Sequence, residues 1–216
     1  MFSEHFLFYR KIGKNLEKHL GKQGTTLNIG CGQDRYRKFI HGKVINLDIK
    51  QTKAADIIAD ANQLKFKPNS FDNVISIFSF YYLKNPFSMS RDISKILKKD
   101  GKFILVLPFL YPIHDIPEDR YRFTSFGIKT VLEKYFNIES IKPIGSIFSM
   151  PSVLQYSLVK GIQSLFPKNR PLKLIISTIT YPLFLIFKFS QILSLFDIFD
   201  RSGRFPIAYF VVAIKK

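Results

Sequence analysis

Residues His114–Thr124, HDIPEDRYRFT, crowd a histidine, carboxylates, arginines and aromatics into one short stretch. Imidazole, with an unperturbed pKa of ~6.5, can take a proton from a hydroxyl as that hydroxyl attacks an electrophile. His114 is therefore a candidate general base, with Asp115 or Asp119 to orient it. Arg120 or Arg122 can grip an anionic acceptor through paired N–H groups. The same stretch also suits a plainer arrangement, in which Asp119 and the arginines knit a salt-bridge cluster and His114 is merely exposed. Upstream, Thr25–Gly32, TTLNIGCG, is an apolar run that breaks on Gly30 and Gly32. Lacking a Cβ, a glycine lets the backbone turn sharply and meet a ligand at contact distance. Asp48 closes a second apolar run, where a carboxylate can accept both hydroxyl hydrogens of a ribose. Asp60 and Ala61 close a third, offering a carboxylate and a backbone amide to an adenine edge. Each acid also suits a strand-end or turn cap.

These residues need a scaffold that brings them to one edge. Tyr9, Ile12, Leu16 and Leu20 recur at helical spacing over residues 5–20. Thr25–Cys31, Val44–Ile49, Ala55–Asp60 and Phe71–Ser79 are mostly continuous apolar runs, as in strands buried on both faces of a parallel sheet. Asn85-Pro86 predicts a helix start, with Met89, Ile93, Ile96 and Leu97 on one side and Asp100-Gly101 as its stop. Lys102–Phe109 follows as a fifth strand. Thr124 caps a further predicted helix whose buried stripe is Ile128, Val131, Leu132 and Tyr135. Asn137–Gly145 and Ala208–Lys216 are the last two strands. Strands alternating with helices predict an α/β, doubly wound, mostly parallel seven-stranded sheet. Ligands of such a sheet bind at the carboxyl ends of its strands, where Gly30, Gly32, Asp48, Asp60 and the segment Ser79–Tyr82 all fall.

Composition narrows the class. A chain of 216 residues suits one domain, residues 1–216. The single cysteine, Cys31, excludes a disulfide framework and a Cys-rich zinc site, and so points to a reducing, cytoplasmic setting. The first residues, MFSEHFLFYRKIGK, lack the uninterrupted apolar run of a secretory signal. A formal net charge of +17 favours anionic partners. Basic residues are scattered without a dense tract, which makes nucleic acid the less favoured partner. Residues of about 150–205 read as an apolar helical insertion before the last strand. Leu154, Leu158, Ile162 and Leu165 form one stripe, and Leu172–Phe196 is nearly all apolar. A membrane-spanning helix needs roughly 20 apolar residues. The uninterrupted run Leu174–Phe187 is shorter and carries Pro182. The insertion either covers the sheet or a homodimer face, or lies in the plane of an anionic inner membrane face with Lys168, Arg170, Lys173 and Lys188 near headgroups.

Taken together, LNIGCG, LDI, ADANQLKFKPNSFDNVIS and ILKKDGKFILVLPF resemble the motifs of class I S-adenosylmethionine-dependent methyltransferases, in particular the type 11 group. The resemblance spans residues 23–136, with AYFVVAIKK similar to the strand that completes that family's Rossmann-like sheet. It implies S-adenosylmethionine as cofactor. Gly30 and Gly32 would meet its methionine part, Asp48 its ribose, and Asp60 with Ala61 its adenine, with Cys31, Ile49 and Ser79 completing the set. Two positions depart from the pattern. Asn28 stands where an acid is usual, so its contact to the cofactor's ammonium end is expected to be neutral. Asp34 replaces a frequent third glycine, predicting a looser turn. GCGQDR for the same reason lacks the third glycine of a pyrophosphate-binding GxGxxG, which disfavours a dinucleotide. The loop ending in RFT resembles methyltransferases of glycan and small-molecule biosynthesis. That implies transfer to an acceptor oxygen by direct displacement, with His114 and Asp115 catalytic. Tyr82, Asp119, Arg120 and Arg122 would bind the acceptor, and Tyr81 could line the same site or simply pack in the core. The alternatives are an RNA methyltransferase and a basic membrane-associated module with a vestigial cofactor pocket.

Overall fold

Short runs of Ile, Val, Leu and Phe, each broken by glycine, asparagine or aspartate turns, fold into strands because branched and aromatic side chains pack well on a pleated surface. A computed structural model of the chain describes residues 6–164, 190, 192–200 and 202–216. Its regular elements are α1 (Phe6–His19), β1 (Thr25–Ile29), β2 (Lys43–Asp48), β3 (Ile57–Ile58), β4 (Phe71–Ile77), α2 (Pro86–Ile96), β5 (Leu97–Pro108), α3 (Ser125–Leu132), β6 (Phe136–Ile144), α4 (Met150–Ser164) and β7 (Ala208–Lys215).

The strands form one seven-stranded sheet in the order β3-β2-β1-β4-β5-β7-β6. β1 to β5 are paired in parallel, and β7 runs antiparallel to both β5 and β6. From β1 the chain steps outward to β2 and β3, then returns to place β4 on the other side of β1. That reversal opens a crevice beyond the carboxyl ends of β1 and β4. The central strands are buried on both faces, with Leu27, Val74, Ile75, Ile104 and Leu105 all fully enclosed. Ile12 and Leu16 seat α1, and Met89, Ile93 and Ile96 seat α2.

Local signals fix the helix starts. Asn85 Oδ1 accepts from the amides of Phe87 and Ser88, and Thr124 Oγ1 accepts from that of Gly127. The expected stop of α2 at Asp100-Gly101 is displaced. The helix ends at Ile96, Leu97 already pairs with Phe71, and the register shifts before Asn73 meets Lys102. Asp100, at φ 58°, forms the irregularity inside β5 instead of a helix terminus. The expected alternation of strand and helix also differs. Between β1 and β4 the connections carry only 3-10 turns at Arg37–Phe39 and Ala61–Gln63. Those segments are polar and lack a helical stripe. Near Arg37–Phe39, Tyr9 of α1 packs against Tyr36 and Phe39 and donates its hydroxyl hydrogen to Arg35 O at 2.8 Å.

The chain divides into two compact units, and the sheet and its helices make up the first: residues 6–109, 113–144 and 208–216. The second comprises residues 110–112 and the described part of 145–207. Within it Ser146 and Ser149 donate to the two carboxylate oxygens of Asp197, at 2.5 and 2.6 Å. Leu154 and Leu158 of α4 are exposed, as are Leu195, Phe196, Ile198 and Phe199. Most of the apolar run Leu172–Phe196, with Leu165 and the four basic residues assigned to headgroups, lies outside the described residues. No helix among the described residues is long and apolar enough to cross a membrane.

Candidate active site

The chain leaves β1 through two left-handed glycines, Gly30 at φ 69° and Gly32 at φ 55°. The amides of Gly30 and Cys31 both donate to Leu47 O, at 2.8 and 3.2 Å, which ties the turn to β2. A side chain at Gly30 would collide with Cβ of Ser79, whose Oγ donates to Ile29 O at 2.6 Å. Gly32 differs. A Cβ built there meets no atom within 4 Å, so the space above it is open. Its amide donates to Asp48 Oδ2 at 2.8 Å, and that of Lys50 to Asp48 Oδ1 at 2.9 Å. Both Asp48 oxygens thus hold the turn, and each keeps a second lone pair for a ligand. Asp60 caps the turn Ala61–Gln63, accepting from the amide and the side chain of Asn62. Those two bonds hold its carboxyl below the ordinary range. Ile49 is exposed.

Behind the turn, Asn28 and Asn46 are buried side by side. Asn28 Nδ2 donates to Asn46 Oδ1 at 3.0 Å and to Asp34 Oδ1 at 3.3 Å. Asn46 Nδ2 donates to Asp34 Oδ2 at 2.9 Å. The turn at Asp34 is not loose. Its left-handed backbone, φ 46°, is pinned by these amides. Cys31 is half-buried, and burial foremost, with the charge of Asp48, pushes its thiol up to about 11. It is a neutral filler at physiological pH rather than a nucleophile.

Facing this turn is the loop after β5. Asp119 has no exposed side-chain surface and accepts both Arg122 NH1, at 2.5 Å, and NH2, at 2.7 Å. It also accepts the amide of His114 at 2.9 Å and lies 3.2 Å from His114 Nδ1. The other imidazole nitrogen, Nε2, lies 2.9 Å from the Tyr81 hydroxyl. Tyr81 donates to Tyr82 at 2.8 Å, and Tyr82 to Asp115 Oδ2 at 2.5 Å. Burial, above all, raises both phenols, so both remain donors at neutral pH. Arg120 Nε donates to Tyr82 O at 3.2 Å.

Both halves open on one cavity of about 270 Å³. Of the residues expected from the sequence, Asn28, Gly30, Cys31, Gly32, Tyr82, His114 and Asp115 line it. Asp48 and Ser79 stand behind the turn, whereas Asp60 borders a separate hollow of about 310 Å³ beneath β2 and β3. Asp119 and Arg122 are engaged with each other behind His114. Tyr81, expected either here or in the core, also lines the cavity, as do Asp34 and Tyr36, for which no part in the wall was expected. Asp34, Phe78 and Asp115 all have left-handed backbones and all lie on its wall. Such conformations cost energy for residues with side chains and cluster where a site is shaped for a ligand.

Residues 27–105 match the family model described as a methyltransferase domain. Residues 27–105 thus carry a methyltransferase domain, and the β3-β2-β1-β4-β5-β7-β6 sheet gives the chain the fold of class I S-adenosylmethionine-dependent methyltransferases. The chain is 24% identical over 172 residues to an uncharacterised protein of Methanocaldococcus jannaschii, covering 76% of this chain and 80% of that one. A putative S-adenosylmethionine-dependent methyltransferase from Listeria monocytogenes shares its fold with a TM-score of 0.56 at 15% identity, over 96% and 98% of the two chains. The [4+2]-cyclase SpnF shares it with a TM-score of 0.62 at 12% identity, over 95% and 80%. The fold is therefore common to proteins of different chemistry, and the reaction must be argued from the site.

The residues present fit the cofactor. The open space over Gly32 admits a ligand against the backbone. Tyr36 also lines the cavity, and its hydroxyl is buried without a hydrogen-bond partner among the described residues.

Proposed function

We propose that the methyltransferase acts on an oxygen of a small-molecule or glycan-type acceptor. The observation that carries this reading is the imidazole of His114 on the cavity wall, braced from behind by the Asp119–Arg122 pair. S-adenosylmethionine, when bound, supplies a sulfonium methyl group open to in-line displacement. Gly30, Cys31 and Gly32 form the floor for its methionine part, Asp48 accepts from its ribose hydroxyls, and Ile49, Asp60 and Ala61 border its adenine. Asn28 supports the floor through Asp34. Ser79 fixes the turn that all of them depend on.

His114 takes the acceptor's proton. Its Nε2 lies 2.9 Å from the Tyr81 hydroxyl and 3.4 Å from that of Tyr82, and in the neutral imidazole it can accept the proton of an entering hydroxyl. Tyr82 and Arg120 border its path, and Asp115 completes the chain of hydrogen bonds. Positioning of the two reactants supplies most of the rate, and the base adds to it. A screen of hydroxylated acceptors with labelled S-adenosylmethionine tests the reading. Transfer confined to amines or to RNA would overturn it.

The exposed apolar residues of the second unit favour a peripheral contact with an anionic membrane. Phe148, Phe196 and Phe199 form one aromatic row, with centroids 6.2 and 6.1 Å apart, in a strongly basic chain. Vesicle flotation tests this contact.

A further inference from the structure

The amino-acid end of the cofactor carries an ammonium and a carboxylate, so the wall that receives it has to answer a positive charge. The carboxylates that line the cavity, among the described residues, are Asp34 and Asp115. Asp115 belongs to the His114 side and accepts the Tyr82 hydroxyl. Asp34 belongs to the glycine turn, and its contacts are to the neutral amides of Asn28 and Asn46. Each of its oxygens takes one amide hydrogen and retains a lone pair, while the negative charge has no cation among these partners.

We propose that Asp34 holds the ammonium group of S-adenosylmethionine, so that Asn28 and Asp34 together form a relocated acid site. The two departures in the turn are then one exchange. An aspartate at position 28 would set a second carboxylate about 3.3 Å from Asp34, where like charges cannot both ionise freely. An asparagine there instead donates to Asp34 and aims it. A left-handed backbone is tolerated by aspartate better than by most side chains, which lets the acid occupy a place in the turn that a glycine would otherwise take.

The inference rests on the cofactor and is independent of the acceptor. Its test is calorimetric titration of the intact protein with S-adenosylmethionine, S-adenosylhomocysteine and 5′-methylthioadenosine. The last has the nucleoside and thioether but no amino-acid end. Asp34→Asn keeps the size, the left-handed backbone and one acceptor while removing the charge. It should weaken the first two ligands by about tenfold or more, as expected for a charge-assisted bond, and leave 5′-methylthioadenosine within about twofold. Adding Asn28→Asp to Asp34→Asn returns a carboxylate to the wall and should recover most of the lost affinity. Equal weakening of all three ligands would show that Asp34 only shapes the turn, and unchanged affinity for all three would also overturn the proposal. Failure of the unaltered protein to bind any of them would refute the cofactor itself, a separate result.

Discussion

Asp119, a carboxylate with no exposed surface, sets how the imidazole of His114 sits. Burial would raise its pKa, but the hydrogen bonds from Arg122 and the His114 amide, with the nearby positive charges, outweigh that and hold it below the ordinary range. A carboxyl depressed on folding contributes stability above its unfolded pKa of ~3.9 and loses it as pH falls through the folded value. Acid unfolding followed by circular dichroism should therefore show a loss below about pH 4. That component should be absent in Asp119→Asn. Arg122→Ala should be the more damaging change, on the order of 3 kcal/mol in denaturant melts, because it strands the buried charge. At the same scale, His114→Ala should bind S-adenosylmethionine normally and lose acceptor turnover by about 100-fold or more. Normal turnover would remove the histidine from the mechanism.

The glycine turn shows how one element can hold two glycines for different reasons. Gly30 is confined by Ser79, whereas Gly32 faces open space. Gly30→Ala should lower the thermal midpoint through collision and strain together. Gly32→Ala carries only the left-handed penalty, about 1 kcal/mol, yet should weaken cofactor binding more than that in titration calorimetry, because its methyl enters the ligand's space. Much of this was legible in the sequence. Continuous apolar runs marked the strands, since a strand buried on both faces has no polar side to alternate with. Asn85 and Thr124 announced their helices through local capping chemistry. What escaped was set by packing across the sheet. Tyr81 and His114 are 33 positions apart and meet because β4 and β5 are neighbours, while no periodic signal marks Tyr36 as a wall residue. Asp100-Gly101, expected as a helix stop, departs from that expectation for a similar reason. A turn-forming pair inside a paired strand makes a bulge instead of an end.

For the molecule as a whole, a charge of +17 and the aromatic row of the second unit lead to one expectation about partners. The protein should float with vesicles containing anionic lipid and not with neutral ones, and salt should release it as screening shortens the reach of its charges. Phe196→Ser with Phe199→Ser should reduce flotation without altering calorimetric cofactor binding. Retention on neutral and anionic vesicles alike, or on neither, would count against the membrane contact.

The place of β7 has a consequence for biosynthesis. β6 leaves the ribosome well before β7, yet the two join β5 only through β7, which lies between them. Until residues 208–215 emerge, the nascent chain carries an unpaired β5 edge and a β6 with no neighbour, separated by the long segment 145–207 still being translated. Exposed strand edges of this kind recruit foreign strands. A ribosome stalled before β7 should therefore present a chaperone-binding, protease-sensitive chain, and release of those last residues should convert it to a resistant one.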